Sequence, residues 1–253
     1  MHQFTFFDTE SYWDEHLHED YRRIDPAAQP HHRIASRRIF AAAAFDVTIQ
    51  DCGQISCDQM ASWTRHDHGD EEAVVRGLFE HMSSSPGRTA CGFGSVAVDL
   101  PLLTLAAMEY GLQLPAQLRF HGQSGPRNRA HIDLGLALKA QGATWSHLTE
   151  VILRLGLSHE LIVGKARVSL PSSAEAWVAA RAHCEMDTAL LAIAMVAWLR
   201  AQGTPGLDVK IASLAVLEWM RRTRPTTDGI RERLAHASAQ LTGQISERFT
   251  VAA

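Results

Sequence analysis

Four carboxylates in this chain stand where an acid can do more than solvate a surface: Asp8, Glu10, Asp99 and Asp187. Asp8 and Glu10 close the apolar run Phe4-Thr5-Phe6-Phe7 in the pattern Asp-x-Glu. On a strand, side chains two apart point to one face, so both carboxylates can reach a single metal cluster. Asp99 stands where a strand-loop segment gives way to Leu100-Pro101-Leu102, with proline suited to a helix's first turn. An acid is also favoured there merely as a cap or by the helix dipole. Asp187 lies within the helical run Met186-Asp187-Thr188-Ala189-Leu190-Leu191, where a carboxylate needs a partner or an exit to solvent. His183 precedes Asp187 by four residues, so the two share a helix face. An imidazole titrates near neutrality and can act as a general base. Each acid alone has an ordinary reading: a solvated strand end, a helix cap, a core acid with a partner.

The elements that must position these residues follow from periodicity. Residues 3–10 read as a strand, and 11–36, polar and carrying two prolines, read as a long loop or flap. Strands at 39–48 and 54–63 flank the turn Asp51-Cys52-Gly53 and form a hairpin. Val74, Val75, Leu78 and Phe79 have helical spacing within 71–82, and 89–93 is a short buried strand. A helix follows Asp99, residues 123–129 form a loop rich in Gly and Arg, and 131–134 form a fifth strand. An amphipathic helix covers 146–155, and Ser172-Ser173-Ala174-Glu175, in capping-box form, opens a long helix ending near 203. Helices at 209–222 and 227–248 complete the chain. Strands interleaved with helices make an α/β fold, its sheet mixed because of the hairpin.

With 253 residues, 46% apolar and 21% charged, the chain suits one α/β domain with elaborations. No apolar run approaches the roughly 20 residues of a membrane span, and the N-terminus lacks a signal peptide's basic start, so no membrane role and a cytoplasmic location are expected. Cys52, Cys57, Cys91 and Cys184 show neither disulfide nor zinc spacing and are expected as free thiols, mostly buried. A net charge of −4 argues against a protein that coats nucleic acid through a basic field. It leaves open one that grips a few nucleotides through metal ions.

In order along the chain, these segments resemble the motifs of DEDD 3′→5′ exonucleases, in particular the proofreading domain of family-B DNA polymerases. Phe7-Asp8-Thr9-Glu10-Ser11 resembles the first motif. The segment from Cys91 through Gly94-Ser95 to Asp99-Leu100-Pro101 resembles the second, and His183-Cys184-Glu185-Met186-Asp187 the third. His131-Ile132-Asp133-Leu134 is similar to a further His-x-Asp-Leu segment. The resemblance covers about residues 3–202, with nothing similar for the last fifty. It implies an RNase H-like mixed five-stranded sheet flanked by helices over residues 1–205, and the helices read at 209–222 and 227–248 make 206–253 a helical extension. It also implies that Asp8, Glu10, Asp99 and Asp187 bind two divalent cations, with substrate contacts at Gly94, Ser95 and Leu100. An oxygen-only ligand set suits Mg²⁺ or Mn²⁺ rather than zinc. The implied substrate is the 3′ end of single-stranded nucleic acid, DNA ahead of RNA.

The chain departs from the family at two places. His183 occupies the spacing of a tyrosine that orients the attacking water, and Gly94 replaces an asparagine expected to touch substrate. An exoribonuclease resembling RNase D and a catalytically idle nucleic-acid-binding module are the competing readings. Glu185 is about 200° around the helix from Asp187 and is expected to be exposed. His66-Asp67-His68 reads as a solvated loop before it reads as a metal site, and Arg127, Arg129 and Gly164-Lys165 are further candidates for phosphate or family contacts.

Overall fold

The computed structural model describes residues 1–27, 33–119, 130–162, 169–224 and 228–251. Its chain order begins with β1 (His2–Trp13), α1 (Glu15–Ile24), β2 (Arg37–Ile49), β3 (Ile55–Thr64), the one-turn α2 (Arg65–His68) and α3 (Glu71–Ser84). Next come β4 (Thr89–Gly92), α4 (Asp99–Tyr110), β5 (His131–Asp133) and α5 (Leu134–Lys139). The last four are α6 (Leu148–Arg154), α7 (Ala174–Ala201), α8 (Val209–Thr223) and α9 (Asp228–Val251). One five-stranded sheet forms in the order β3-β2-β1-β4-β5. The hairpin strands β2 and β3 run antiparallel to their neighbours, whereas β4 and β5 run parallel to β1. The expected mixed α/β sheet flanked by helices is therefore present, with extra helices at the C-terminal end.

Alternation along β1 divides the molecule. Phe4 and Phe6 enter one apolar cluster with Leu190, Ile193 and Met195 of α7, and Phe7 enters another with Leu78 of α3 and Leu103 of α4. By the same period, Asp8, Glu10 and Tyr12 follow Phe4 and Phe6 onto the α7 face. Thr9 follows Phe7 toward α4. A β-bulge between Glu10 and Ser11 leaves Phe40 as the extra residue of β2, since Glu10 pairs with Ala41 but Ser11 with Ile39. Bulges re-aim side chains in this way: Ile39 packs in the α3–α4 cluster, while Phe40 meets Trp177 of α7.

Four expectations change. The segment 11–36 is not one loop: β1 continues to Trp13, and α1 follows, capped by Asp14, which accepts from His16 and Leu17 N–H at 3.0 and 3.3 Å. The cap of α7 is Ser173, accepting from Ala176 N–H at 3.2 Å, one residue later than the pattern suggests. The short α5 was not expected; Asp133 caps it through Leu136 N–H. Finally, α7 is long and apolar enough to cross a membrane by length and composition alone, yet 78% of its most apolar stretch is buried inside the protein.

The C-terminal helices belong to the α7 side of the core: Val216, Leu217 and Leu234 share a cluster with Phe45 and Leu190. The loop before α8 seats directly on the hairpin turn. Gly53 (φ 84°) and Gly206 (φ 75°) meet backbone to backbone, and a Cβ on Gly53 would lie 2.0 Å from the Gly206 carbonyl oxygen. All four cysteines are free, Cys91 and Cys184 buried. His31, His32, Arg127, Arg129, Gly164 and Lys165 lie outside the described residues.

Candidate active site

The end of β1 brings the first two acids to the sheet's α7 face, and α4 and α7 bring the other two. Asp8 is half-buried, and its pKa is pushed well above the usual carboxylate value. Burial is the first cause, followed by the charges of Asp187, Asp99 and Glu10 in that order. Residues 179 positions apart in sequence thus lie within one another's field. Asp99, buried at the start of α4, accepts from the backbone N–H of Thr9 at 3.2 Å and from the Thr9 hydroxyl. Burial raises its pKa to about 6 even though the two Thr9 bonds work the other way. Thr9 is the x of Asp-x-Glu, so one strand end supplies two acids to one face and, through the residue between them, a clamp on a third.

His183 binds the set together from α7. Its Nε2 lies 3.3 Å from Glu10 and 3.7 Å from Asp187, with all three side chains partly shielded. One residue farther on, about 100° around α7, Cys184 faces the strand, where its thiol donates to the Asp8 carbonyl oxygen at 3.4 Å. Burial, then the Asp8 and Glu10 charges, push that thiol well up, so it stays protonated; nucleophilic cysteines need the reverse. Among the described residues, no three of the His, Cys, Asp and Glu side chains are drawn together tightly enough to hold a metal ion as they stand. Four like charges around one strand end have reason to keep apart until a cation neutralises them.

The residues before Asp99 form a loop organised by Asp133 at the end of β5. Its carboxylate accepts from Gly94 N–H at 2.8 Å, Val96 N–H at 2.9 Å and Leu136 N–H at 2.9 Å. Gly94 has φ 69°, a left-handed conformation that glycine and asparagine adopt most readily. That accounts in backbone terms for glycine at a position where asparagine is expected. Ser95 is fully buried, its hydroxyl 3.0 Å from Nε2 of His131. His131 in turn packs on Phe7 and is held toward its neutral form by burial. Leu100 packs against the α3–α4 cluster.

Other candidates are placed differently. Glu185 is not exposed: it is buried, bonded to the Ser62 hydroxyl at 2.6 Å and ion-paired with Arg224 just after α8. Because α7 packs against the sheet on one side and α8 on another, Glu185 turns into the protein, and only the arc of His183 and Asp187 stays partly open. Asp67 is committed to the Thr64 hydroxyl at 2.6 Å and to Arg181, and His68 Nδ1 faces the Thr64 carbonyl oxygen, so His66-Asp67-His68 makes no metal triad. Thr9, Asp133 and Arg224 carry no sequence signal of their own. Only the Asp-x-Glu and His-x-Asp frames around the first two could have drawn attention to them.

No protein-family model and no curated protein matches the chain. Among solved structures, it is similar to the family B DNA polymerase of the hyperthermophilic archaeon Pyrobaculum calidifontis, with a TM-score of 0.51 and 16% identity over 87% of this chain and 28% of the polymerase. Weaker similarity extends to E. coli exonuclease I in a zinc-bound complex with single-stranded DNA, with TM-score 0.45, 12% identity, and 87% and 45% of the two chains covered. The same enzyme bound to a dA16 oligonucleotide gives TM-score 0.42, 13% identity, and coverages of 88% and 44%. The chain thus spans less than half the length of each of these structures. At these identities, what is shared is the fold.

Proposed function

We propose that this protein is a metal-dependent 3′→5′ exonuclease that removes nucleoside 5′-monophosphates from single-stranded nucleic acid, with DNA the favoured substrate. The observation that carries the reading is the convergence of four acids from β1, α4 and α7 on one strand end, three of them raising the pKa of the fourth. A fold similar to part of a family B DNA polymerase adds support. Placing like charges together weakens a fold unless something neutralises them.

The donor set fits divalent cations that prefer oxygen. Asp8, Glu10, Asp99 and Asp187 would hold two Mg²⁺ or Mn²⁺ ions. Such a pair supplies a hydroxide near neutral pH and relieves charge on the departing 3′ oxygen. The remaining work falls to this chain's own groups. Thr9 fixes the rotamer of Asp99 through two hydrogen bonds, so that acid is oriented before substrate arrives. His183, reaching Glu10 and Asp187 from one imidazole, is placed to orient a water beside the acids and take its proton. Asp133 ties down the loop that leads into Asp99.

A 5′-labelled oligonucleotide tests this proposal. With Mg²⁺ or Mn²⁺ it should give a descending ladder, with EDTA none, and Asp8→Ala or Asp187→Ala should leave no ladder in protein that still folds. Degradation that survives EDTA, or persists in either variant, would falsify the two-cation reading.

A further inference from the structure

Beyond the acids, β1 and α7 continue into a group of flat side chains that are only partly buried. Tyr12 follows Glu10 by two residues on the same strand face, about 7 Å farther on. Arg65, the first residue of α2, donates to the Tyr12 hydroxyl at 2.6 Å, its guanidinium 5.5 Å from the ring centre. His66 stacks on Trp177, with centroids 5.7 Å apart and planes 20° from parallel. Phe40, turned to this face by the bulge, supports both sides, 6.4 Å from Tyr12 and 5.8 Å from Trp177. One turn along α7, Arg181 pairs with Asp67. Trp177 is six residues before His183, about 9 Å along the helix axis, and His183 contacts Glu10.

Burial separates support from surface. Phe40 is buried, whereas Tyr12, Arg65 and Trp177 are half-exposed and His66 is exposed. Rings left open to water contribute little to folding. Arg65 on Tyr12 and Arg181 on Asp67 bring two guanidinium groups to this spot in a chain of net charge −4. It adjoins a site whose own field would repel a phosphate backbone. Half-open aromatics interleaved with arginines suit nucleobases: every base offers a π-face, so stacking holds a strand without reading its sequence.

We infer that Tyr12, Arg65, His66 and Trp177 form a shelf on which the bases preceding the 3′ terminus of a single strand stack while that terminus lies at the acids. This rests on the exonuclease reading and names how the substrate strand is held. The residues of the shelf are positioning residues, so they should govern affinity and its dependence on strand length rather than the hydrolytic step.

The test uses full-length protein and thymidine oligonucleotides of two to eight nucleotides. In EDTA, adding the octamer should quench tryptophan fluorescence in the wild type, and Trp177→Leu should lose that component and bind about tenfold more weakly. Trp177→Phe should retain most of the affinity. His66→Ala, at an exposed position that cannot endanger folding, should weaken binding in the same direction. With Mn²⁺ present, the fall in KM on lengthening the strand should be blunted in Trp177→Leu, with kcat moved far less. Octamer affinity of Trp177→Leu and His66→Ala within twofold of wild type would overturn the shelf, as would the absence of quenching in the wild type. Wild-type protein that binds and quenches without ever cleaving would sink the exonuclease reading and leave the shelf standing.

Discussion

Two clusters of shielded acids lie on this sheet, and their charges are settled in opposite ways. At the start of α1 and along α3 and α4, the Arg38 guanidinium reaches Asp14 at 2.7 Å, Glu71 at 2.9 Å and Glu109 at 3.0 Å, and the Tyr110 hydroxyl also bonds Glu71. Burial works against charge at Asp14, but Arg38 and the N–H groups of Leu17 and His16 hold its pKa below the ordinary value. At the end of β1 the shifts run the other way: burial, then the charges of Asp187, Asp99 and Glu10, raise Asp8, and burial, with the charge of Asp133, raises Asp99. The first cluster has its cation built in and fastens the sheet to its helices. On the proposed reading the second takes its cation from outside, and that difference, rather than the number of acids, is what singles it out as the candidate site.

The largest effect expected within this contrast is on turnover. His183→Ala should lower kcat by about 10²–10⁴-fold, the usual contribution of a general acid–base group, with Mn²⁺ affinity little changed. His183→Tyr, restoring the residue the resembling family carries, should keep substantial activity and shift the acid limb of the pH–rate profile. A rate for His183→Ala within threefold of wild type would assign the water to another group.

Removing the built-in cation should cost stability instead. Arg38→Met leaves Glu71, Asp14 and Glu109 facing one another without a partner, which should destabilise the fold by about 3 kcal/mol in urea unfolding. A midpoint unchanged from wild type would dissolve the contrast from its paired side.

The smallest effect is the most specific. Between its ordinary 3.8 and its folded value of about 6, Asp99 holds a proton in the folded state that the unfolded chain has released. Metal-free protein should therefore lose stability as pH rises through that window and regain it as pH falls toward 4. Asp99→Asn keeps an oxygen for Thr9 but removes the charge. In EDTA near pH 7.5 it should be more stable than wild type by about 2–3 kcal/mol, a gap closing toward pH 4. Below that, Asp14, Asp58 and Asp67, held low, lose stability in both proteins alike. A gap that does not change with pH would contradict the charged burial of Asp99.

Much of this arrangement was legible in the sequence where one local rule governed. An apolar run closed by Asp-x-Glu marked β1, the turn Asp51-Cys52-Gly53 marked the hairpin, helical spacing marked α3, and a capping-box pattern marked the start of α7. What escaped depended on tertiary partners. The segment Glu15–Ile24 is mostly charged, and only Leu17, Tyr21 and Ile24 mark its helical period after the cap Asp14, so composition masked a helix in which His18 packs on the Trp13 ring at 4.7 Å. Glu185 was misjudged because a helical wheel knows one core, whereas α7 is packed from several sides and Arg224 arrives from 39 residues away. The four acids could be picked out by type and setting. Their mutual field, the clamp from Thr9 and the tie from Asp133 needed coordinates.

The measurement closest to the central claim is a Mn²⁺ titration followed by calorimetry, with no nucleic acid present. Two ions should bind per wild-type chain, weakened or lost in Asp8→Ala and Asp187→Ala and retained in Arg38→Met, with bound Mn²⁺ raising the melting temperature of the wild type. Equal Mn²⁺ binding by wild type and Asp8→Ala, or none by the wild type at millimolar ion, would contradict that claim.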